Sequence, residues 1–292
     1  MNMKQFSVKN ILTAAVISAL LPVGAEIRFS FEKTFHADSG GIPEQADITG
    51  LEKSGVKGTP LHAAAGLSER IQFDDGISGR ALRIGIAPDT RKKYAYRYFP
   101  QTDLHTDQGA VMFWVKPENW RGNDKLFHVF FSAESTVKPG CSMIVYKYQN
   151  RPDLFFYVSG KYAFTSIKDW TPGKWHHVAA VWKEDALYLY VDGRLKNGIR
   201  TAKRTRGKFQ NFTLGSKISW KGETGTTLLD EVRIMPQFQN EQAVIREYSR
   251  CASLVGNRKS KFEIRVSPAT PKTDGRIEKA NTDSPGPVSS IS

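Results

Sequence analysis

The sequence predicts an all-β fold, two antiparallel sheets packed as a sandwich with one short helix near the C-terminus. Three observations carry this. Short β-patterned runs recur along the chain, separated by Gly, Pro, Asn and Asp. Ala110-Val111-Met112-Phe113-Trp114-Val115 is continuously apolar, as a central strand covered on both faces must be. Leu187-Tyr188-Leu189-Tyr190-Val191 instead alternates, with its aliphatic set toward a core and its tyrosines on the opposite face. Asp192-Gly193 follows and supplies the positive φ angles of a tight hairpin.

The remaining strands are expected at Ile27–Phe31, Arg80–Ile86, Leu126–Phe131, Met143–Tyr148, Leu154–Val158, Trp175–Trp182, Phe212–Gly215 and Leu228–Met235. Only Asn240–Tyr248 reads as a helix, from Ala243, Val244 and Tyr248. Many strands with one helix exclude an alternating βαβ architecture. Asp38–Ser68 is Gly-rich and weakly patterned, and is expected to be a long surface loop.

Residues 1–25 read as a signal peptide. Lys4 and Lys9 precede an apolar run from Ile11 to Leu21, and Val23-Gly24-Ala25 places small residues at a cleavage point. The run is shorter than a bilayer span needs, and no later segment is apolar enough, so no membrane span is expected. The expected location is secreted or periplasmic. The sandwich is expected over 26–250. The segment 251–292 is basic and Pro/Ser-rich, either a tail or the cut-short start of a further domain. Cys141 and Cys251, in an oxidising compartment, either form a disulfide or remain two buried thiols.

The net charge is +13. The signal segment carries two of these charges and the tail after Cys251 three, which leaves +8 on the central domain. Arg200, Lys203, Arg204, Arg206 and Lys208 cluster. Such a cluster either attracts a polyanion or forms a solvated loop. Export argues against nucleic acid as a partner.

Four stretches resemble a laminin-G-like, concanavalin A-like lectin/glucanase jelly roll of the bacterial exported type. They are FDDGISGRALRIG (73–85), GAVMFWVKPENW (109–120), WTPGKWHHVAAVWKEDALYLYVDGRL (170–195), and FTLGSK followed by LLDEVRIM (212–235). The third is the most specific, with its Gly-Lys-Trp-His-His-Val-Ala and Leu-x-Leu-Tyr-Val-Asp-Gly blocks. The resemblance implies a jelly roll and a module that is mostly non-catalytic, from exported proteins that act on or adhere to glycans. Some members of the family bind Ca2+, and for such a structural ion Asp38 and Asp230 are the candidate ligands; the alternative for Asp230 is a structural hydrogen-bonding role. PATPKTDGRIEKA (268–280) is similar to the opening of another exported carbohydrate-binding sandwich.

No enzyme chemistry is legible. Glucanases on this fold place carboxylates at alternate strand positions, and no two acidic residues here are two apart. His176 and His177 point to opposite strand faces and cannot share a metal ion. No His-Glu-x-x-His, Cys-x-x-Cys, Gly-x-Ser-x-Gly or phosphate loop is present.

Sugar recognition needs flat apolar rings and polar groups for the hydroxyls. Trp120, Trp170 and Trp220 lie beside Gly, Pro, Asn or Lys and are expected in loops. Arg121 and Lys221 place a cation next to a ring, and Tyr94 and Tyr96, with Tyr98, are expected on one strand face. The expected function is a non-catalytic carbohydrate-binding module for a polysaccharide or glycoconjugate, acidic polysaccharide included. The alternatives are a protein-interaction or adhesion domain with a protein partner, and an unrecognised glycoside hydrolase or polysaccharide lyase.

Overall fold

The computed structural model describes residues 26–32, 37–38, 47–49, 60–61, 72–90, 93–98, 104–135, 142–204, 206–215 and 225–257. These belong to one unit that ends at Asn257. Its elements are β1 (Ile27–Phe29), β2 (Asp47–Thr49), β3 (Pro60–Leu61), β4 (Phe73–Asp75), β5 (Arg80–Ile86), β6 (Lys93–Tyr94), β7 (Tyr96–Tyr98), β8 (Gly109–Pro117) and β9 (His128–Ser135). They continue with β10 (Ser142–Lys147), β11 (Asp153–Val158), β12 (Lys161–Ser166), β13 (His176–Lys183), β14 (Ala186–Val191), β15 (Arg194–Arg200), β16 (Phe209–Leu214), β17 (Gly225–Met235) and α1 (Glu241–Asn257).

Two antiparallel sheets form. The first runs β15-β14-β13-β8-β17-β5-β4, with β1 paired to β17 and β6 to β5. The second runs β12-β11-β10-β9-β16-β7-β2-β3. Within the segment expected to be a long loop, β2 and β3 therefore extend the second sheet. Large apolar side chains from both sheets meet between them, among them Phe29, Phe113, Phe130, Phe156, Leu189, Phe212 and Ile234. This two-sheet core is the main favourable term, because burial of apolar surface drives folding.

The predicted period explains the layers. In β8, Val111, Phe113 and Val115 enter the core, while Ala110 and Met112 join Ala179, Val181, Tyr190 and Val244 on the other face. In β14, Leu187, Leu189 and Val191 enter the core and the tyrosines face outward, as the alternation predicts. Helix α1 lies over that outer face. Asn240 starts it, its Oδ1 accepting the Ala243 N–H at 2.9 Å. Val244, Tyr248, Cys251 and Val255 recur at helical spacing and seal the first sheet. The helix runs past the boundary expected at residue 250 because this apolar stripe continues to Val255. The outer face of the second sheet has no such cover among the described residues.

Candidate functional site: an aromatic face on the second sheet

The two tryptophans expected as exposed platforms are core residues. Trp120 is 2% exposed and Trp170 is 4% exposed. Asn119 accounts for the first. Its Oδ1 accepts the Thr226 N–H at 2.9 Å and its Nδ2 donates to Thr226 Oγ1 at 3.2 Å, which stitches the segment after β8 to β17. Trp120 then turns inward, donates from Nε1 to Thr227 Oγ1 at 2.8 Å and stacks on His128 at 4.1 Å. Trp170 stacks on His176 with centroids 4.4 Å apart and planes 3° apart. Its backbone C=O accepts the Gly122 N–H at 3.0 Å. A Cβ at Gly122 would lie 1.7 Å from the Ile167 oxygen, so only glycine permits this approach. Polar neighbours in the sequence here mark stitching of loops to strands, not exposure of the ring. Arg121 is exposed beside a ring that faces away from solvent. Trp220 and Lys221 lie outside the described residues.

Tyr94 and Tyr96 are also buried, and they do not share a strand face. The chain passes from the first sheet to the second between them, because β6 pairs with β5 and β7 pairs with β16. Tyr96 and Tyr98 are fully buried, and burial raises both hydroxyls above the usual phenol range.

The residues named for calcium do not fit it. Asp230 is fully buried, and its carboxylate accepts the backbone N–H groups of Ile77 (2.6 Å), Ser78 (3.4 Å) and Glu231 (2.7 Å). It holds the Gly76–Gly79 turn against a bulge in β17, where Glu231 takes φ 49°. Burial pushes the carboxyl up to about 7 against those three donors, and both of its oxygens are already taken by backbone N–H groups. Asp38 is exposed, with Oδ2 accepting the Ser30 N–H at 2.6 Å. Among the described residues no three His, Cys, Asp or Glu side chains gather in a metal-binding group. Cys251 is a buried free thiol against Ile77 and Trp114, while Cys141 lies outside the described residues.

The most specific sequence block proves architectural. Asp192 sits at φ 51° in the β14–β15 hairpin, and its carboxylate accepts the His177 backbone N–H at 2.8 Å and meets His176 Nδ1 at 3.0 Å. His177 points the other way, between Trp114 and Tyr248 beneath α1. The basic cluster is largely matched by acid. Arg200 pairs with Asp185 (2.7 Å), Lys203 with Glu184 (2.8 Å) and Arg206 with Asp107 (3.8 Å). Arg204 turns inward to carbonyls of Lys183, Ala186 and Thr106.

What the fold does assemble is an aromatic face. Register places Tyr146, Phe155 and Phe164 directly opposite one another across β10, β11 and β12. Because Val145, Phe156 and Ala163 point into the core, these three point outward. Phe127, Tyr146, Phe155 and Phe164 form a continuous stack with successive centroids 5.2, 5.3 and 5.4 Å apart. Successive rings of that stack face one another. Tyr148 and Tyr162 flank it, their planes rotated by 60° and 62° from that of Phe155. They are 39% and 49% exposed, and Phe164, at the sheet edge, is 37% exposed. The face therefore presents two tyrosine rings with their hydroxyls around an apolar centre. Burial raises the Tyr146 hydroxyl to about 12, so it stays protonated and able to donate.

One end of this face rests on a buried ion pair. Lys147 is fully buried between Tyr146 and Tyr148 in sequence. Its ammonium donates to the carbonyls of Asp124 (2.7 Å), Leu126 (2.9 Å) and Tyr148 (3.2 Å) and pairs with Asp124 Oδ1 at 2.7 Å. Asp124 also accepts the Leu126 N–H (3.0 Å) and lies 3.5 Å from His128 Nε2. Burial alone would raise the Asp124 carboxyl, but His128 and Lys147 outweigh it and hold it at about 2. The network fixes residues 124–126, and so delivers Phe127 to the stack.

Residues 91–244 match the model of the concanavalin A-like lectin/glucanases superfamily, in its laminin-G type. The chain belongs to this family. Its concanavalin A-like sandwich is similar in fold to solved binding domains of botulinum neurotoxins. For serotype G the TM-score is 0.50 at 13% identity, over 71% of this chain and 51% of that one. For serotype D/C VPI 5993 the TM-score is 0.50 at 14% identity, over 70% and 52%. The chain thus spans about half the length of these solved domains. No curated protein sequence matches it. No helix among the described residues is long and apolar enough to cross a membrane.

Sequence reasoning missed the aromatic face because each strand contributes only one or two of its rings. The signal was present in the spacing of Tyr146 and Tyr148, of Phe155 and Tyr157, and of Tyr162 and Phe164, each two apart. Only the register of three strands turns those pairs into one surface.

Proposed function

We propose that this chain is an exported, non-catalytic glycan-binding domain whose ligand lies on the outer face of the second sheet. The observation that carries the reading is the exposed pair Tyr148 and Tyr162 around Phe155, on the face that α1 does not cover. An open phenol ring offers a flat apolar surface to the C–H face of a sugar and a hydroxyl to its polar rim. Both rings contact Phe155, so one short oligosaccharide can reach both. Membership of a lectin/glucanase family is consistent with this reading but does not by itself assign a ligand. The absence of alternating carboxylates in the sequence supports binding without hydrolysis.

The test is retention on a panel of neutral and acidic polysaccharides at low and high salt. Wild type is expected to be retained on at least one of them at high salt, where exposed ionic contacts are screened. Tyr148→Ala and Tyr162→Ala are each expected to weaken that binding by about fivefold, the equivalent of about 1 kcal/mol per aromatic contact. Unchanged affinity in both variants would sink the proposal. The apolar stack itself favours a second reading, a protein partner docked on the same face. Failure of every polysaccharide, with a partner protein lost on Tyr162→Ala, would select that one.

A further inference from the structure

We infer that the ligand of this face carries a carboxylate and that Arg151 receives it. The inference rests on the glycan reading above and names the chemical class of the glycan. Arg151 lies in the β10–β11 turn, after Asn150, whose φ of 59° reverses the chain. Its guanidinium carbon sits over two rings of the face, 5.4 Å from the Phe155 centroid and 5.2 Å from that of Phe164. A cation at this distance is held by the ring quadrupole. Asp153 fixes the group in its plane, accepting from Nε at 2.7 Å and meeting Nη2 at 2.6 Å through the same oxygen.

The remaining edge of the fork, at Nη1, has no partner among the described residues, and the side chain is 49% exposed. Asp153 is only 12% exposed, so the outward part of the pair is its positive half. A planar donor that is already oriented loses little freedom when it binds, and its geometry matches a carboxylate oxygen pair. Arg200, Lys203 and Arg206 also pair with acids, but among the described residues the cation seated over rings of this face is Arg151, and Arg204 points inward. The acidic sugar is therefore read at one point by a guanidinium next to the tyrosine platforms, not by a diffuse basic surface.

The experiment compares uronate polysaccharides (polygalacturonate, alginate and hyaluronan) with their carboxyl-reduced forms, using wild type, Arg151→Ala and Arg151→Lys. Thermal unfolding of each variant is followed in parallel to establish that it folds. For at least one uronate polymer the native form is expected to bind on the order of tenfold more tightly than its reduced form, the scale of one charge-assisted hydrogen bond. Arg151→Ala should abolish that ratio, and Arg151→Lys should restore only part of it because the fork is lost. Equal binding of native and reduced polymers by wild type, with Tyr162→Ala still weakening both, would overturn the inference and leave the glycan reading standing. No binding of either form, together with no retention on any neutral polysaccharide, would overturn both.

Discussion

At the scale of single residues, Lys147 illustrates how this sandwich uses charge. Its ammonium is enclosed by three carbonyls and one carboxylate, an oxygen set that serves the connection between β8 and β9 as a bound cation would. Removing the ammonium leaves Asp124 as an uncompensated, partly buried charge whose other partner, His128, is held neutral by burial. Lys147→Met is therefore expected to lower unfolding stability by about 3–5 kcal/mol, the cost of breaking a buried pair from one side. Denaturant unfolding at neutral pH measures it. A loss under about 1 kcal/mol, the range of exposed pairs, would show that the network is not the anchor described here.

Trp120 and Trp170 make the complementary point. Each has polar or turn-forming neighbours, which suggests a loop, yet each ring is enclosed by other rings. What decides their fate is a set of side-chain to backbone bonds, Asn119 to Thr226 above all, between residues more than a hundred positions apart. Local composition carries no trace of such a bond, so burial of those two rings was not legible in the sequence.

At the scale of elements, α1 and the strands beneath it enclose two groups whose ionisation opposes folding in opposite senses. Burial lowers His177 to about 4, with Asp192 and Arg250 the charged groups acting on it. In the unfolded chain it titrates near the usual 6.5, so between these values the unfolded state holds the extra proton and stability rises with pH. Burial raises Asp230 to about 7 from an ordinary 3.8, with Glu231 adding to the rise. In that window the folded state holds the extra proton, so stability falls as pH rises. The two slopes oppose each other between about pH 4 and 6.5, the range in which those two shifts overlap. His177→Phe keeps a ring between Trp114 and Tyr248 and should make stability fall more steeply with pH than in wild type. Asp230→Asn should make it rise more steeply. Each change should approach about 1.4 kcal/mol per pH unit, the value for one proton. Slopes equal to wild type in both variants would mean that neither group is held as described.

The elements were largely legible in the sequence. β5 occupies the residues expected, and the continuous apolar run of β8 and the alternation of β14 both mark the faces they occupy. Strands with less apolar patterning were not, β2, β3, β4, β12 and β15 among them. β12 reads Lys-Tyr-Ala-Phe-Thr-Ser, with only Ala163 fully buried, because it is a sheet edge beside β15. That omission hid the site, since Tyr162 and Phe164 both lie on β12.

At the scale of the whole molecule, the two sheets differ in what their outer faces do. The first is closed by α1, which an ion network of Arg233, Glu247, Arg250 and Glu231 fastens to β17. The second carries stacked and flanking rings that are open at Tyr148, Tyr162 and Phe164. A family signature that fixes the hairpin of the closed sheet says nothing about the open one. Fold was therefore readable where sequence blocks are local, and the binding face was not, because it is assembled from β10, β11 and β12 through register.

The most direct measurement is hydrogen exchange, or covalent footprinting of side chains, on the protein with and without the polysaccharide that retains it best. Protection is predicted within residues 142–166, at Tyr148, Tyr162 and the β10–β11 turn, with the α1 face unchanged. Protection centred on α1 or on residues 186–200, with residues 142–166 unchanged, would contradict the assignment of the ligand to the second sheet.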